Sequence, residues 1–450
     1  MPDVSFLNLL VVAAVAAIVP LALGWAPRLR MPAVVLEIVA GVVLGPSVLG
    51  WVEVDLPVQV LALLGLAFLL LLAGLEIDLA TLRGHLLGVA LTGYLLSLAL
   101  AVLTGLAARA AGWTTEPLLV AIALTATSLG LVVPVLKDAG RAEDPVGRTT
   151  IAASSVADFA AIVLLTLLFS TSGGGAGMTA VLLAAFAGLV VVLAVGVGRV
   201  RMSMRLGAVL LRLQDTTAEI RVRLVVLLLI AFVALAERLG LETILGAFLA
   251  GTLVGLVDRD SVSHPQFRAK LDAIGYGFLV PVFFVSSGVR LDLRGLLEEP
   301  TALLRVPLFL LALLVVRGVP AVLYRRSLGR AGAVAAGLLQ ATSLPFLVTV
   351  AQIGVVTGRL SATTGAALVC AGLFSVVIFP AGALAVLGGR PAAGAPVREP
   401  PRPATGANAQ PAMEASAARA DRSTQSTSSS VTGSAGSPSR SRSARSTDSA

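Results

Sequence analysis

The chain has 450 residues, 57% of them hydrophobic and 13% charged, with a formal net charge of +8 and a mean hydropathy of +0.95. Soluble domains carry about 25% charged residues, so this composition excludes a soluble globular protein and describes an all-α, polytopic membrane protein. Cys370 is the lone cysteine, which excludes an intrachain disulfide and a cysteine metal centre; the arginines lie in short loops and a tail, so nucleic acid is not an expected partner.

Cutting at charged, glycine and proline clusters leaves thirteen apolar stretches, each near the ~20 residues that cross ~30 Å of hydrocarbon. They fall at about 6–24, 32–50, 57–75, 86–110, 117–136, 149–170, 178–200, 221–238, 241–257, 272–288, 302–324, 331–355 and 362–387. The first has no basic leader or cleavage site and is expected to be retained. Eighteen Lys and Arg residues lie in loops after odd-numbered stretches and six after even-numbered ones. The positive-inside rule therefore places the N-terminus outside and the C-terminus in the cytoplasm of a cell-membrane protein. Residues 1–390 form the expected membrane domain. Residues 391–450 are rich in Pro, Ala, Ser, Thr and Arg and contain no aromatic residue, the composition of a disordered cytoplasmic tail.

Twelve residues of stretch 5, Leu124 to Val135, recur in stretch 12 as Leu339 to Val350 with seven identities, including the run Ala-Thr-Ser-Leu; Gly130 in one copy stands where Pro345 stands in the other. Seven stretches separate the copies, and an odd offset means opposite orientation. Two weaker echoes share that spacing: Leu36–Leu44 with Leu241–Leu249, and Gly74–Leu79 with Gly288–Leu293. The pattern predicts a duplicated, inverted six-span unit with stretch 7 as linker, and two crossing helices broken near Gly130 and Pro345.

Asp158 stands in the middle of stretch 6, where a charge costs about 2.5–3.5 kcal/mol on insertion scales. Desolvation favours the neutral acid and a bound cation favours the carboxylate, so this one group is expected to hold a proton or a small cation, not both. Ser154 lies one helical turn before it, on the same face. Thr127 and Ser128, opposite Thr342 and Ser343, supply hydroxyls, and unwound backbone there frees carbonyls suited to a hard cation. Arg317, the buried cation of stretch 11, is expected to compensate carbonyl ends or Asp158, or else to snorkel to the cytoplasmic surface past a helix ended by Pro320. Glu37, Glu76 and Glu242 sit at stretch ends within reach of water, and His85 and His264 border cytoplasmic loops. No catalytic triad, nucleotide loop or zinc spacing appears, so neither enzymatic chemistry nor a resident cofactor is expected.

Four segments, Pro32–Pro46, Phe68–Glu76, Leu241–Gly251 and Pro281–Gly288, together resemble the monovalent cation:proton antiporter superfamily, especially its bacterial sodium/hydrogen exchangers and Kef-like members. The resemblance implies a thirteen-helix inverted repeat, usually a homodimer, in which a core of spans 4–6 and 11–13 moves against a scaffold of spans 1–3 and 8–10. It makes Asp158 the ion-binding aspartate and Arg317 the basic residue of span 11. Two departures stand out: Ala157 replaces the Asp or Asn usual before the aspartate, and the Gly-Glu-Phe of Kef-like members is absent around Thr342–Pro345. A single ionisable carrier points to electroneutral exchange of Na⁺ or K⁺ for H⁺. Two other readings stay open: a carrier of another substrate such as an organic anion, clamped by Arg317, and a non-transporting membrane sensor or scaffold acting through the tail.

Overall fold

The computed structural model describes residues 6–25, 32–76, 84–169, 175–201, 219–257 and 265–388. Contacts divide the chain into Met1–Ala393 and Gly394–Ala450. The second unit, and with it the expected tail, lies outside the described residues.

In chain order the helices are α1 (Leu7–Trp25), α2 (Ala33–Leu44), α3 (Leu56–Leu75), α4 (His85–Ala110), α5 (Pro117–Thr125), α6 (Leu129–Asp138), α7 (Pro145–Phe169), α8 (Gly175–Arg201), α9 (Ile220–Arg238), α10 (Thr243–Val257), α11 (265–289), the short α12 (Leu293–Glu298), α13 (300–324), α14 (Arg325–Gln340), α15 (Pro345–Val356) and α16 (Ala362–Val386). Each expected stretch is overlain by one helix or, for stretches 5 and 12, by two. Among the described residues eight segments are long and apolar enough to cross a membrane and three shorter helices are apolar.

Prolines shape two of the helices. Pro281 and Pro320 have no N–H for the carbonyls four residues back, and in both places the ladder widens into a π turn, at Gly275–Leu279 in α11 and Leu314–Gly318 in α13. Pro320 does not end α13, which runs on as a 3₁₀ segment, Val319–Tyr324. The chain then reverses at Gly329, whose φ of 72° suits a residue without a Cβ.

Packing sorts the helices into two groups. In one, α3 packs on α10, α2 on α11, α3 on α11 and α9 on α10. In the other, α4 packs on α5 and α7, and α16 on α13, α14 and α15. The α8 helix touches both α7 and α10.

Glycines set the close crossings of the first group. A Cβ on Gly41 would run into the Val285 carbonyl and one on Gly288 into that of Ile38; Gly74 and Gly251 stand in the same relation to Phe248 and Leu71. Thus α2–α11 and α3–α10 cross backbone to backbone, in the paired manner that a two-fold duplication requires. Gly288→Val and Gly251→Val are each expected to destabilise the protein by about 1–3 kcal/mol or more, because backbone cannot give way as a side chain can; unfolding temperature in detergent measures the loss.

Candidate functional site

The two broken helices meet at their breaks. Between α5 and α6 the residues Ala126–Ser128 are non-helical, with φ −74° and ψ 151° at Ala126 and φ −93° and ψ 84° at Ser128. Between α14 and α15 the break covers 341–344, where Leu344 leaves helical geometry at φ −142° and ψ −60°, and Pro345, which has no N–H, opens the next helix. The repeated Ala-Thr-Ser run is therefore the non-helical segment itself. Pro345 begins α15, but Gly130 lies inside α6, not at the break. This corrects the sequence expectation: no glycine or proline unwinds 126–128, and tertiary partners hold it open instead.

Those partners are specific. The Ser128 amide donates to the Thr342 carbonyl (2.8 Å), the Thr127 amide to Asp158 Oδ1 (2.8 Å), and the Thr127 hydroxyl to the Gln340 carbonyl (2.8 Å). Arg317 closes the cluster, donating from Nε and Nη2 to Thr127 Oγ1 (3.0 and 2.7 Å) and from Nη1 to Ser97 Oγ on α4 (3.2 Å). Three groups from three helices thus converge on Thr127.

The resulting charge arrangement follows helix polarity. Asp158 accepts from an amide just before the N-terminus of α6, and Arg317 lies at the C-terminal ends of α5 and α14, each charge beside the half-helix end that favours it. At 1% exposure Arg317 does not snorkel, and among the described residues it makes no ion pair with Asp158. Thr127 stands between them.

Asp158 opens on a cavity of ≈ 70 Å³ between the two helix groups, lined on its own side by residues 127–131, Ile162, Pro345 and Phe346, and on the other by α2, α3, α10 and α11. Asp158 is the one ionisable carboxylate of that lining. The carbonyl of Gly130 receives no donor from Pro134, which has no N–H. About 10–15 Å³ of such cavity space holds one water, so the cavity has room for a small ion or a few waters.

Other expected residues lie elsewhere. Thr342 contributes its carbonyl, while its hydroxyl bonds back to Leu338 (3.3 Å). Ser343 gives its amide to Ser375 Oγ (3.1 Å). Ser343 Oγ and Ser154 Oγ are buried without a hydrogen-bond partner, and none of these three side chains lines the cavity. Glu37 is buried rather than in reach of water. Cys370 packs against the main apolar core. His264 and the side chain of His85 lie outside the described residues. Ser97, which fixes one arm of Arg317, escaped sequence reasoning; a hydroxyl in mid-span of α4 was its only signal.

The sodium/hydrogen exchanger transmembrane family matches residues 13–386. The chain belongs to this family. It is 32% identical over 395 residues to the putative Na(+)/H(+) antiporter YjbQ of Bacillus subtilis, covering 84% of this chain and 63% of that protein. It is also 32% identical over 278 residues to the Na(+)/H(+) antiporter of Enterococcus hirae, covering 60% and 70% respectively. Among solved structures it is similar to the sodium proton antiporter MjNhaP1 of Methanocaldococcus jannaschii, with a TM-score of 0.57 and 18% identity over 85% of this chain and 98% of that one. The exchanger fold, a multi-pass bundle of helices in inverted repeat, is therefore that of this chain. Its family-like segments, Pro32–Pro46, Phe68–Glu76, Leu241–Gly251 and Pro281–Gly288, hold the glycines of the close crossings and so build the frame around the site.

Thr127→Val leaves the facing Arg317 N–H groups and the Gln340 carbonyl buried without their shared partner, each such loss being about 1–3 kcal/mol. A loss of roughly 2–5 kcal/mol is expected, with Thr127→Ser near wild type; thermal unfolding of the two variants in detergent checks it.

Proposed function

We propose that the chain is a secondary active transporter that exchanges a monovalent cation, Na⁺ or K⁺, for protons by alternating access. The observation that carries this reading is Asp158, the single charged side chain facing a cavity at the boundary of two separately packed helix groups, beside the crossing of two broken helices. The names of the relatives, Na(+)/H(+) antiporters, agree with it.

The chemistry follows from one carboxylate in a small, mostly apolar space. Protonated, Asp158 is neutral and stable there; ionised, it needs a counter-charge, which a cation entering the cavity supplies. Cation binding and proton release are then two sides of one event. Thr127 and Ser128 lie beside the bound cation, Ala157 leaves no second carboxylate next to Asp158, and exchange is one for one and electroneutral. Ion gradients provide the driving force. The α4–α7 and α13–α16 group is the moving core, and the group around α2, α3, α10 and α11 is the scaffold. Gln352 on α15 donates to Ser287 Oγ on α11 (2.9 Å), a polar contact between core and scaffold that such motion must break.

An anion carrier is disfavoured by Arg317, whose side chain is buried outside the cavity with donors engaged by Thr127 and Ser97. The Lys and Arg distribution supports a multi-pass protein with its N-terminus outside and its C-terminus in the cytoplasm. The exposed apolar face of α1, with Leu10, Ile18 and Leu21, fits lipid, and the family resemblance adds a homodimer.

In proteoliposomes with an entrapped pH dye, cation-driven proton movement is expected to vanish in Asp158→Asn, and full exchange in that variant would refute the assignment. Competition at one carboxylate also sets a pH law. The apparent KM for cation should rise by about tenfold per unit of falling pH once the acid is mostly protonated, whereas a KM independent of pH would mean separate sites.

A further inference from the structure

Asp158 and the helix breaks form the core side of the cavity; the scaffold side is aliphatic or phenylalanine apart from Tyr276 on α11. Tyr276 is 43% exposed and sits in the π turn Gly275–Leu279, an irregularity that re-aims side chains and is frequent at functional sites. Its hydroxyl meets the start of α6: a Cβ built on Gly130 would stand 3.3 Å from the Tyr276 hydroxyl oxygen. Gly130, which does not break the helix, thereby has another physical reason to be glycine, since it leaves room for this hydroxyl two residues from Ser128 and three from Thr127.

We propose that Tyr276 is a specificity-determining residue of the scaffold, whose phenol oxygen faces the cation or one of its retained waters while the cavity is open toward Tyr276. A neutral oxygen suits this place because a second carboxylate would hold the cation too firmly to be released. Beyond Tyr276 lies a charged rim: Glu76 pairs with Arg268 (3.6 Å), and Glu76, Asp272 and Arg268 all act electrostatically on Tyr276. Tyr276 thus links this charged cluster to the cavity whose lining it shares with Asp158. Because Tyr276 belongs to the scaffold and Asp158 to the core, motion of the core separates them, and the cation loses this ligand when the site turns to the other side.

The inference rests on the exchange reading, and Asp158→Asn in the same vesicles tests that reading separately. Exchange by full-length protein in proteoliposomes is measured with Na⁺ and with K⁺ supplied on the side that Tyr276 faces. Tyr276→Phe, which keeps the ring, is expected to raise the KM for cation roughly three- to tenfold, the value of one lost polar contact, by a larger factor than it changes the maximal rate, and to alter the Na⁺ to K⁺ ratio of KM. Gly130→Ala should raise KM by a clearly larger factor in the tyrosine background than in the phenylalanine background, where the crowded oxygen is gone. An unaltered KM for both cations in Tyr276→Phe, or a loss confined to maximal rate, would overturn the proposal.

Discussion

A helix broken inside a membrane strands backbone N–H and C=O groups where water is scarce, and each one left bare costs about 1–3 kcal/mol. This protein breaks two helices at the same depth and lets each complete the other. The Ser128 amide meets the Thr342 carbonyl, and the Thr127 hydroxyl meets the Gln340 carbonyl. The crossing is stable only as a pair, which explains why the sequence carries the Ala-Thr-Ser run twice and in opposite orientation.

From that crossing the electrostatics follow. Unwound backbone leaves the Thr127 amide for Asp158, with the Leu129 backbone also acting on it, and half-helix ends of opposite sign lie side by side. Arg317 takes the negative ends and Asp158 the positive one. The arginine bonds Thr127 and Ser97 rather than the carboxylate, so its charge acts on Asp158 only from a distance, and in the proposed exchange Asp158 is left to alternate between proton and cation. An arginine held in a direct ion pair with it would have competed with the substrate.

Much of this was legible in the residues. A mid-span aspartate declares itself through its desolvation cost, and the duplicated Ala-Thr-Ser run located both breaks to within a few residues. What misled was attributing the first break to Gly130: helix breakers are a local signal, whereas 126–128 is held open by Asp158 and Thr342, which are distant in sequence. Ser154, Thr342 and Ser343 were credited with facing the ion because polar side chains near a break invite that reading, but which way a hydroxyl turns depends on packing. Ser97 and Tyr276 went unseen for the same reason, since neither stands in a repeat or motif. The recognisable family segments turned out to specify helix crossings through Gly41, Gly74, Gly251 and Gly288, so they announced the frame more clearly than the chemistry within it.

The central claim is that a single carboxyl group exchanges its proton for the cation. Titration calorimetry of Na⁺ or K⁺ into the detergent-solubilised protein, repeated in buffers of different ionisation enthalpy, counts the protons released per cation bound. The account predicts a release approaching one at a pH where Asp158 is protonated, and its disappearance in Asp158→Asn. Cation binding with no proton release, or with undiminished release in that variant, would contradict it.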